Sequence, residues 1–221
     1  MSCQEILNMK IIQHHLNFRP DADWIVSQSG LPYLGLNLNA PYNDIYREWL
    51  DVKHLAVKHR AEESISEKFF YGHSGWTSLV IYGKHSTATS DNEKPFMWTD
   101  IANLCPITKS WIDETFVIDE STNRIRFMNL DPGGYILPHV DRTAKKFGEV
   151  NIAIKQPSGC VFRFTHYGTV PFQDGSANLV DISNQHMVFN NSNQPRLHII
   201  AHAHLRNKKL IEESYESRYY S

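Results

Sequence analysis

The most informative part of the sequence is Arg124-Ile-Arg-Phe-Met-Asn-Leu-Asp-Pro-Gly-Gly-Tyr-Ile-Leu-Pro-His139-Val-Asp141. In an extended strand, residues i and i+2 point to the same side, so His139 and Asp141 can bind one metal ion together. A third ligand has to come from another strand, and His186 follows His139 by 47 residues. Two histidines and one carboxylate form the facial set that is typical of non-haem Fe(II) sites with open positions.

A second stretch, His186-Met-Val-Phe-Asn-Asn-Ser-Asn-Gln-Pro-Arg196-Leu-His-Ile-Ile200, places an arginine ten residues after the candidate ligand. Its guanidinium is a planar fork that matches a carboxylate. Arg196 lies in a run rich in Leu and Ile, which predicts that it points inward. Since an unpaired buried guanidinium is costly, we expect a bound carboxylate as its partner.

Short apolar runs separated by turn residues predict a mainly β (α+β) fold. The predicted strands are Ile125–Leu130, Tyr135–Val140, Val150–Ile154, Val161–Thr165, Ala177–Asp181, His186–Phe189 and Leu197–His202. The first is expected to end at a turn, Asp131-Pro-Gly-Gly134. About eight short, evenly spaced strands favour a double-stranded β-helix, or jelly-roll.

The first 120 residues predict an irregular α+β segment. Strands are expected at Leu34–Asn39 and Gly75–Tyr82, and a polar loop at 86–95. A helix carrying Ile45, Trp49, Leu50, Val52 and Leu55 is predicted to be capped by Asn43 or Asp44. A second helix is predicted from Ile107 to Phe116, capped by Thr108 or Ser110.

We predict a single domain over residues 1–221. Residues 1–120 would brace one sheet, with N-terminal helices, and supply substrate loops at the barrel mouth. Residues 121–205 would form the catalytic jelly-roll core, and 206–221 a C-terminal tail.

Composition excludes several functional classes. The net charge of −2 provides no basic field for nucleic acid or an anionic membrane. No apolar run approaches the roughly 18 residues of a membrane helix, and residues 1–20 do not resemble a signal peptide. Three separated cysteines form no CxxC motif or disulfide framework, which predicts a cytoplasmic protein.

A competing zinc site can be drawn from His198, His202 and His204, which alternate along one predicted strand. Three ligands from a single strand rarely close a tetrahedron, so the set of His139, Asp141 and His186 is favoured.

With these residues, the chain resembles the aspartyl/asparaginyl β-hydroxylase family, which includes bacterial free-proline hydroxylases and belongs to the Fe(II)/2-oxoglutarate oxygenases. The resemblance covers roughly residues 72 to 204. It rests on Pro132-Gly133 seven residues before His139 and on the spacing from His186 to Arg196.

The resemblance implies a jelly-roll dioxygenase that hydroxylates an unactivated C–H of a free amino acid or of an amino-acid residue in a peptide. It implies Fe(II) on His139, Asp141 and His186, 2-oxoglutarate on Arg196, and O2 as oxidant. The remaining site residues it suggests are Asn151 and His198 for the cosubstrate, and Trp76, Tyr135 and Arg142 for the substrate.

The chain departs from the family at several positions. Animal peptide hydroxylases have Gly in place of the carboxylate ligand, whereas Asp141 is present here, as in free-amino-acid hydroxylases. Met128 replaces a frequent serine, and Glu149-Val-Asn151 replaces a frequent Arg-x-His. Asn151 can donate hydrogen bonds, but Glu149 cannot replace a cation. The second anchor of 2-oxoglutarate is therefore left open.

Two alternatives stay open from sequence alone. One is the same chemistry on another small metabolite, and the other is a non-catalytic cupin-like module that binds a metal or a small anion. Intact ligands together with Arg196 favour the enzyme. Substrate identity, the hydroxylated carbon and the oligomeric state are not predicted; neither a nucleic-acid nor a membrane partner is expected.

Overall fold

The computed structural model describes residues 29–60, 72–89, 95–119, 122, 124–141 and 149–219. The strands are β1 Tyr33–Asn39, β2 Val57–Lys58, β3 His73–Gly83, β4 Met97–Trp98, β5 Phe116–Val117, β6 Ile125–His139, β7 Glu149–Lys155, β8 Cys160–Phe164, β9 Gly168–Thr169, β10 Ser176–Val180, β11 His186–Asn190, β12 Arg196–Ala201 and β13 His204–Leu205. The helices are α1 Tyr42–Val52, α2 Asp100–Leu104, α3 Pro106–Thr115 and α4 Leu210–Tyr219, with a 3-10 turn at Lys53–Leu55.

One antiparallel sheet curls over itself to form the predicted jelly-roll. Its strands pair in the order β1-β10-β7-β12-β6-β11-β8-β9, and β3 lies beside β6. The curled sheet forms two facing layers, and the long strand β6 belongs to both. Its residues Ile125–Leu130 pair with β12, while Tyr135–His139 pairs with β11. The mainly β prediction and the jelly-roll are confirmed.

The predicted turn at Asp131–Gly134 is wrong, because the chain bends there without reversing and β6 continues through it. A Cβ at Gly134 would lie 2.8 Å from the Asp131 carbonyl oxygen, so only glycine fits this close approach. The buried Asn190 amide donates to the carbonyls of Leu130, Asp131 and Gln194 at 2.8–3.1 Å. Asn190 therefore ties the bend to the connection between β11 and β12.

Two apolar cores lie on opposite faces of the larger sheet. The outer core contains Phe127, Ile152 and Ile199 under Ile45 of α1 and Ile112 of α3, so helices brace this sheet as predicted. The inner core lies inside the barrel, between the layers. Its residues include Leu130, Ile136, Ala153, Phe162, Phe164, Phe172, Val180 and Val188.

The predicted helix caps are wrong. The N-cap of α1 is Pro41, and Asn43 and Asp44 lie in the first turn of that helix. The N-cap of α3 is Cys105, so Thr108 and Ser110 are also inside their helix.

A side chain from α1 caps the start of α3 instead. The Glu48 carboxylate accepts from the backbone N–H of Ile107 at 2.7 Å and of Thr108 at 2.9 Å. A negative charge at a helix N-terminus also interacts favourably with the helix dipole. The cap is a tertiary contact across about 60 residues, which explains why local sequence did not indicate it.

The segment predicted as a C-terminal tail contains helix α4, which contributes Leu210, Ile211 and Tyr215 to the outer core. Because β1 pairs with β10 and β3 pairs with β6, strands from both halves of the chain share one sheet. We propose on this basis that the chain is one domain.

Within the described residues, no helix is long and apolar enough to cross a membrane. Residues 90–94 of the predicted polar loop, the predicted substrate residue Arg142 and Cys3 lie outside the described residues.

Candidate active site in the barrel interior

The two predicted histidine ligands lie directly opposite each other on neighbouring strands. His139 ends β6, His186 begins β11, and the two residues are register partners in the antiparallel pair. Their ring centroids are 4.3 Å apart. One nitrogen or oxygen from each of His139, Asp141 and His186 can be chosen so that all three atoms lie within 4.8 Å of one another. The structure therefore brings the three predicted ligands together.

A β-bulge turns His139 inward. Ile136 faces the inner core, so plain alternation would bring Pro138 inward and turn His139 out. The register shifts between the His186–His139 and Val188–Ile136 pairs, which places the two residues Leu137 and Pro138 opposite one residue of β11. Leu137 and Pro138 are both exposed and His139 is buried.

Backbone carbonyls orient both imidazole rings. The Nδ1 atom of His139 lies 2.8 Å from the Leu137 carbonyl oxygen, and that of His186 lies 2.9 Å from the Asn184 carbonyl oxygen. A carbonyl oxygen can only accept, so each ring donates its Nδ1–H and keeps an unprotonated Nε2 when neutral. Both Nε2 atoms lie 3.7 Å from Asp141 Oδ2. Two nitrogen lone pairs and one carboxylate thus converge, which fits a divalent metal ion.

Asp141 lies just beyond the end of β6, with its backbone N–H donating to the Ile182 carbonyl oxygen at 3.1 Å. Burial alone would raise the pKa of its carboxyl, but hydrogen bonding and charge interaction with His139 and His186 hold that pKa below its usual value. Burial, with the neighbouring His139, lowers the pKa of His186. The site therefore favours an ionised carboxylate and a neutral His186, the protonation states that metal binding requires.

Arg196 is buried inside the same barrel. Its Nη2 donates to Nδ1 of His198 at 2.9 Å and its Nε donates to Oε1 of Gln156 at 3.4 Å. Burial lowers its pKa to about 10, so the guanidinium stays charged at neutral pH. No carboxylate among the described residues forms an ion pair with it. A buried charge of this kind calls for an anionic ligand.

His198 and Asn151, predicted as cosubstrate residues, lie beside Arg196. The Nδ1 atom of His198 is 2.6 Å from Oδ1 of Asn151. Burial, with the adjacent Arg196 charge, holds the pKa of His198 far below its usual value, so the ring is neutral.

An aromatic wall runs from the metal-ligand cluster to the arginine. The Phe162 ring stacks on His186 at 5.4 Å between centroids. It also contacts Phe172 at 5.9 Å, and Phe172 packs edge-on against His198 at 4.7 Å. The two polar ends thus belong to one interior whose wall is apolar.

The predicted substrate residues differ in their placement. Trp76 is half-buried against the inner core, between the rings of His59 at 4.2 Å and His73 at 5.4 Å. Tyr135 is exposed and precedes the inward-facing Ile136, so it lies on the outer face. The structure thus brings Trp76, but not Tyr135, to the barrel interior.

Sequence reasoning missed a buried charged group on the inner face. Arg124 and Arg126 are buried, and the Oε1 atom of the buried Glu149 lies 2.7 Å from Nε2 of His202. The alternation of inward and outward residues along β6 could have indicated that Arg126 is buried, because Arg126 lies on the same face of the strand as Leu130. Within the described part of the chain, His139, Asp141 and His186 are placed so that they could hold a metal ion, whereas His198, His202 and His204 form no such group.

The sequence profile of the family described as "Aspartyl/Asparaginyl beta-hydroxylase" matches residues 39–204, three quarters of the 221 residues. A comparison with curated protein sequences gave no match.

Similar solved structures include a prolyl hydroxylase from Trichoplax adhaerens in complex with a hypoxia-inducible-factor peptide fragment. It is 10% identical, with a TM-score of 0.49, and the alignment covers 93% of this chain and 94% of that one. A Pseudomonas putida prolyl-4-hydroxylase is 9% identical, with a TM-score of 0.45 and coverage of 81% and 96%.

The profile match spans both candidate ligand strands and Arg196, and it confirms the resemblance seen in the sequence. The chain belongs to the aspartyl/asparaginyl β-hydroxylase family.

Proposed function

We propose that this hydroxylase holds Fe(II) with His139, Asp141 and His186 and binds 2-oxoglutarate through Arg196. The observation that carries the proposal is the buried Arg196 guanidinium, which pairs with no carboxylate of the described residues and shares one interior with the converging ligand set. A bare metal-binding scaffold needs no such cation.

Fe(II), when bound with 2-oxoglutarate and O2, supplies oxidative decarboxylation to succinate and CO2, coupled to hydroxylation of an unactivated C–H. The protein provides position and a dry interior for this chemistry. The Leu137 and Asn184 carbonyls fix the two imidazole rings, Arg196 receives the distal carboxylate of the cosubstrate, and Phe162 and Phe172 exclude water along the wall between them.

We propose a free amino acid, or an amino-acid residue in a peptide, as the substrate. The family supports this class. The buried charges of Arg126 and Glu149, which interact with Asp141, also support it. They make this part of the interior polar, so that charged groups of a substrate can form charge-assisted hydrogen bonds there in place of those to water. We further propose a cytoplasmic location, in keeping with the free thiols of Cys105 and Cys160.

The test is a succinate assay with wild-type protein loaded anaerobically with Fe(II). The loaded protein is exposed to O2 and 2-oxoglutarate, first alone and then with mixtures of amino acids and short peptides. We expect slow succinate formation without substrate and faster formation with the right mixture, which fractionation would then resolve. Succinate at the level of the metal-free control in every mixture would refute the enzyme and leave a metal- and anion-binding module.

A further inference from the structure

Gln156, the residue that follows β7, contacts both polar groups at the arginine end of the interior. Its Oε1 atom lies 3.4 Å from Arg196 Nε and 2.9 Å from His198 Nε2. The Gln156 backbone N–H donates to Asp174 Oδ1 at 2.6 Å, and its Nε2 donates to the Cys160 carbonyl oxygen at 2.9 Å. Because the Cys160 carbonyl can only accept, the amide NH2 faces Cys160 and the amide oxygen faces Arg196.

This orientation determines the tautomer of His198. An amide oxygen is only an acceptor, so His198 must donate from a protonated Nε2. The neutral ring then carries no proton on Nδ1, which is therefore free to accept from Arg196 Nη2 at 2.9 Å. Asn151 Oδ1 lies 2.6 Å from the same Nδ1 atom, and two acceptors cannot form a hydrogen bond, so this tautomer requires the Asn151 amide to turn its NH2 group toward Nδ1.

The contacts also select one edge of the arginine fork. Nε and Nη2 form the side edge of a guanidinium, and in Arg196 these two atoms face Gln156 and His198. The end edge, formed by Nη1 and the second hydrogen of Nη2, therefore remains available for a carboxylate ligand.

We propose that Gln156 is a positioning residue for the cosubstrate: through Arg196 Nε and His198 Nε2 it holds the guanidinium end-on toward the distal carboxylate of a 2-oxo dicarboxylic acid. The inference rests on the proposed function of Arg196. In this chain Arg196 is oriented from behind by Gln156 and His198, while Met128 and Asn151 occupy positions where the family resemblance suggested polar anchors.

Two substitutions separate this role from mere packing. Gln156→Leu removes both hydrogen bonds, and Gln156→Glu keeps the shape and the acceptor oxygen but adds a negative charge beside Arg196. A packing role predicts that Gln156→Glu is the milder change. A positioning role predicts the reverse, because the introduced carboxylate would pair with Arg196 and repel the incoming carboxylate of the cosubstrate.

The affinity for 2-oxoglutarate is measured by calorimetry, without O2, on Zn(II)-loaded protein, together with the steady-state KM and kcat. For Gln156→Leu we expect Kd and KM to rise about three- to tenfold with kcat nearly unchanged. For Gln156→Glu we expect a rise of more than about tenfold. The exposed Gln173→Leu is the matched control and should leave both constants unchanged.

A second readout needs neither metal nor turnover. Nitrogen-15 NMR of metal-free protein should show His198 protonated at Nε2 in the wild type, a mixed tautomer in Gln156→Leu, and an imidazolium in Gln156→Glu. The inference is overturned by an unchanged 2-oxoglutarate Kd and an unchanged His198 spectrum in Gln156→Leu, or by a milder effect of Gln156→Glu than of Gln156→Leu. Wild-type protein that binds no 2-oxoglutarate would instead refute the proposed function, whatever the tautomer.

Discussion

The two ends of the barrel interior are organised by contacts of different range. At the metal-ligand end, His139 and His186 each bond a backbone carbonyl two residues earlier in the chain. At the arginine end, Arg196 and His198 are held by Gln156 and Asn151, which are 40 to 47 residues distant. The metal ligands are thus oriented locally once their strands exist, whereas the arginine end depends on the register between β7 and β12.

Removing a predicted metal ligand should have the largest effect on Fe(II) uptake and activity. Correct orientation of the remaining ligands cannot replace the lost donor atom. We expect His186→Ala and His139→Ala to abolish Fe(II) uptake and succinate formation, measured by metal analysis and enzyme assay. Asp141→Ala should lose most activity, since two neutral imidazoles then hold the ion alone.

The matched control is His202→Ala, which removes a partly buried histidine that contacts Glu149. Metal binding that survives in His186→Ala and disappears in His202→Ala would move the site away from the β6–β11 pair.

Substituting Arg196 should leave metal binding intact and weaken only the binding of the cosubstrate. Arg196→Lys keeps a charge but loses the fork and its contacts with His198 and Gln156. Losing a charge-assisted pair costs about 1.5–3 kcal/mol, so the KM for 2-oxoglutarate should rise roughly tenfold or more. The exposed Arg163→Lys serves as control. Unchanged KM values in both Arg196→Lys and Arg196→Ala would place the carboxylate elsewhere.

Asn190→Ala should lower the free energy of unfolding, because Asn190 secures the bend between the two ends of the interior, where β6 passes from β12 to β11. Its amide donates to three carbonyls. Leaving the buried Leu130 carbonyl without this donor costs about 1–3 kcal/mol, which urea unfolding would register as a lower midpoint. Asn191→Ala, an exposed neighbour, should leave the free energy of unfolding nearly unchanged. Equal midpoints for the two variants would contradict the role of Asn190.

The smallest effect is expected from Glu149→Gln, whose effect on the free energy of unfolding should depend on pH. Burial alone would raise the pKa of Glu149, but its interaction with His202 outweighs burial and the net pKa is lowered. A lowered folded-state pKa stabilises the fold above the unfolded-state pKa, and that stability is lost as pH falls through the folded value. The wild type should therefore exceed Glu149→Gln in unfolding free energy at pH 7, and the difference should shrink below about pH 4.5. A difference that is constant with pH would exclude the ionised pair as its cause.

Several features were predictable because they depend on short-range patterns. The pair His139 and Asp141, the later His186 and Arg196, and the alternating strands around them are visible in the sequence. They were sufficient for the jelly-roll, the family and the candidate ligand set. The ligands' role in binding metal stays a prediction until iron uptake is measured.

Residue chemistry and the two-residue period of a strand are local properties, so they were enough to predict which residue types could form the site and that these would lie on strands of a jelly-roll. The direction in which each side chain points depends on tertiary contacts. The bulge at Leu137 and Pro138 reverses the face of His139. Glu48 caps a helix across 59 and 60 residues, and Gln156 reaches Arg196 across 40. These contacts arise from strand register and chain crossing, and a linear pattern contains neither.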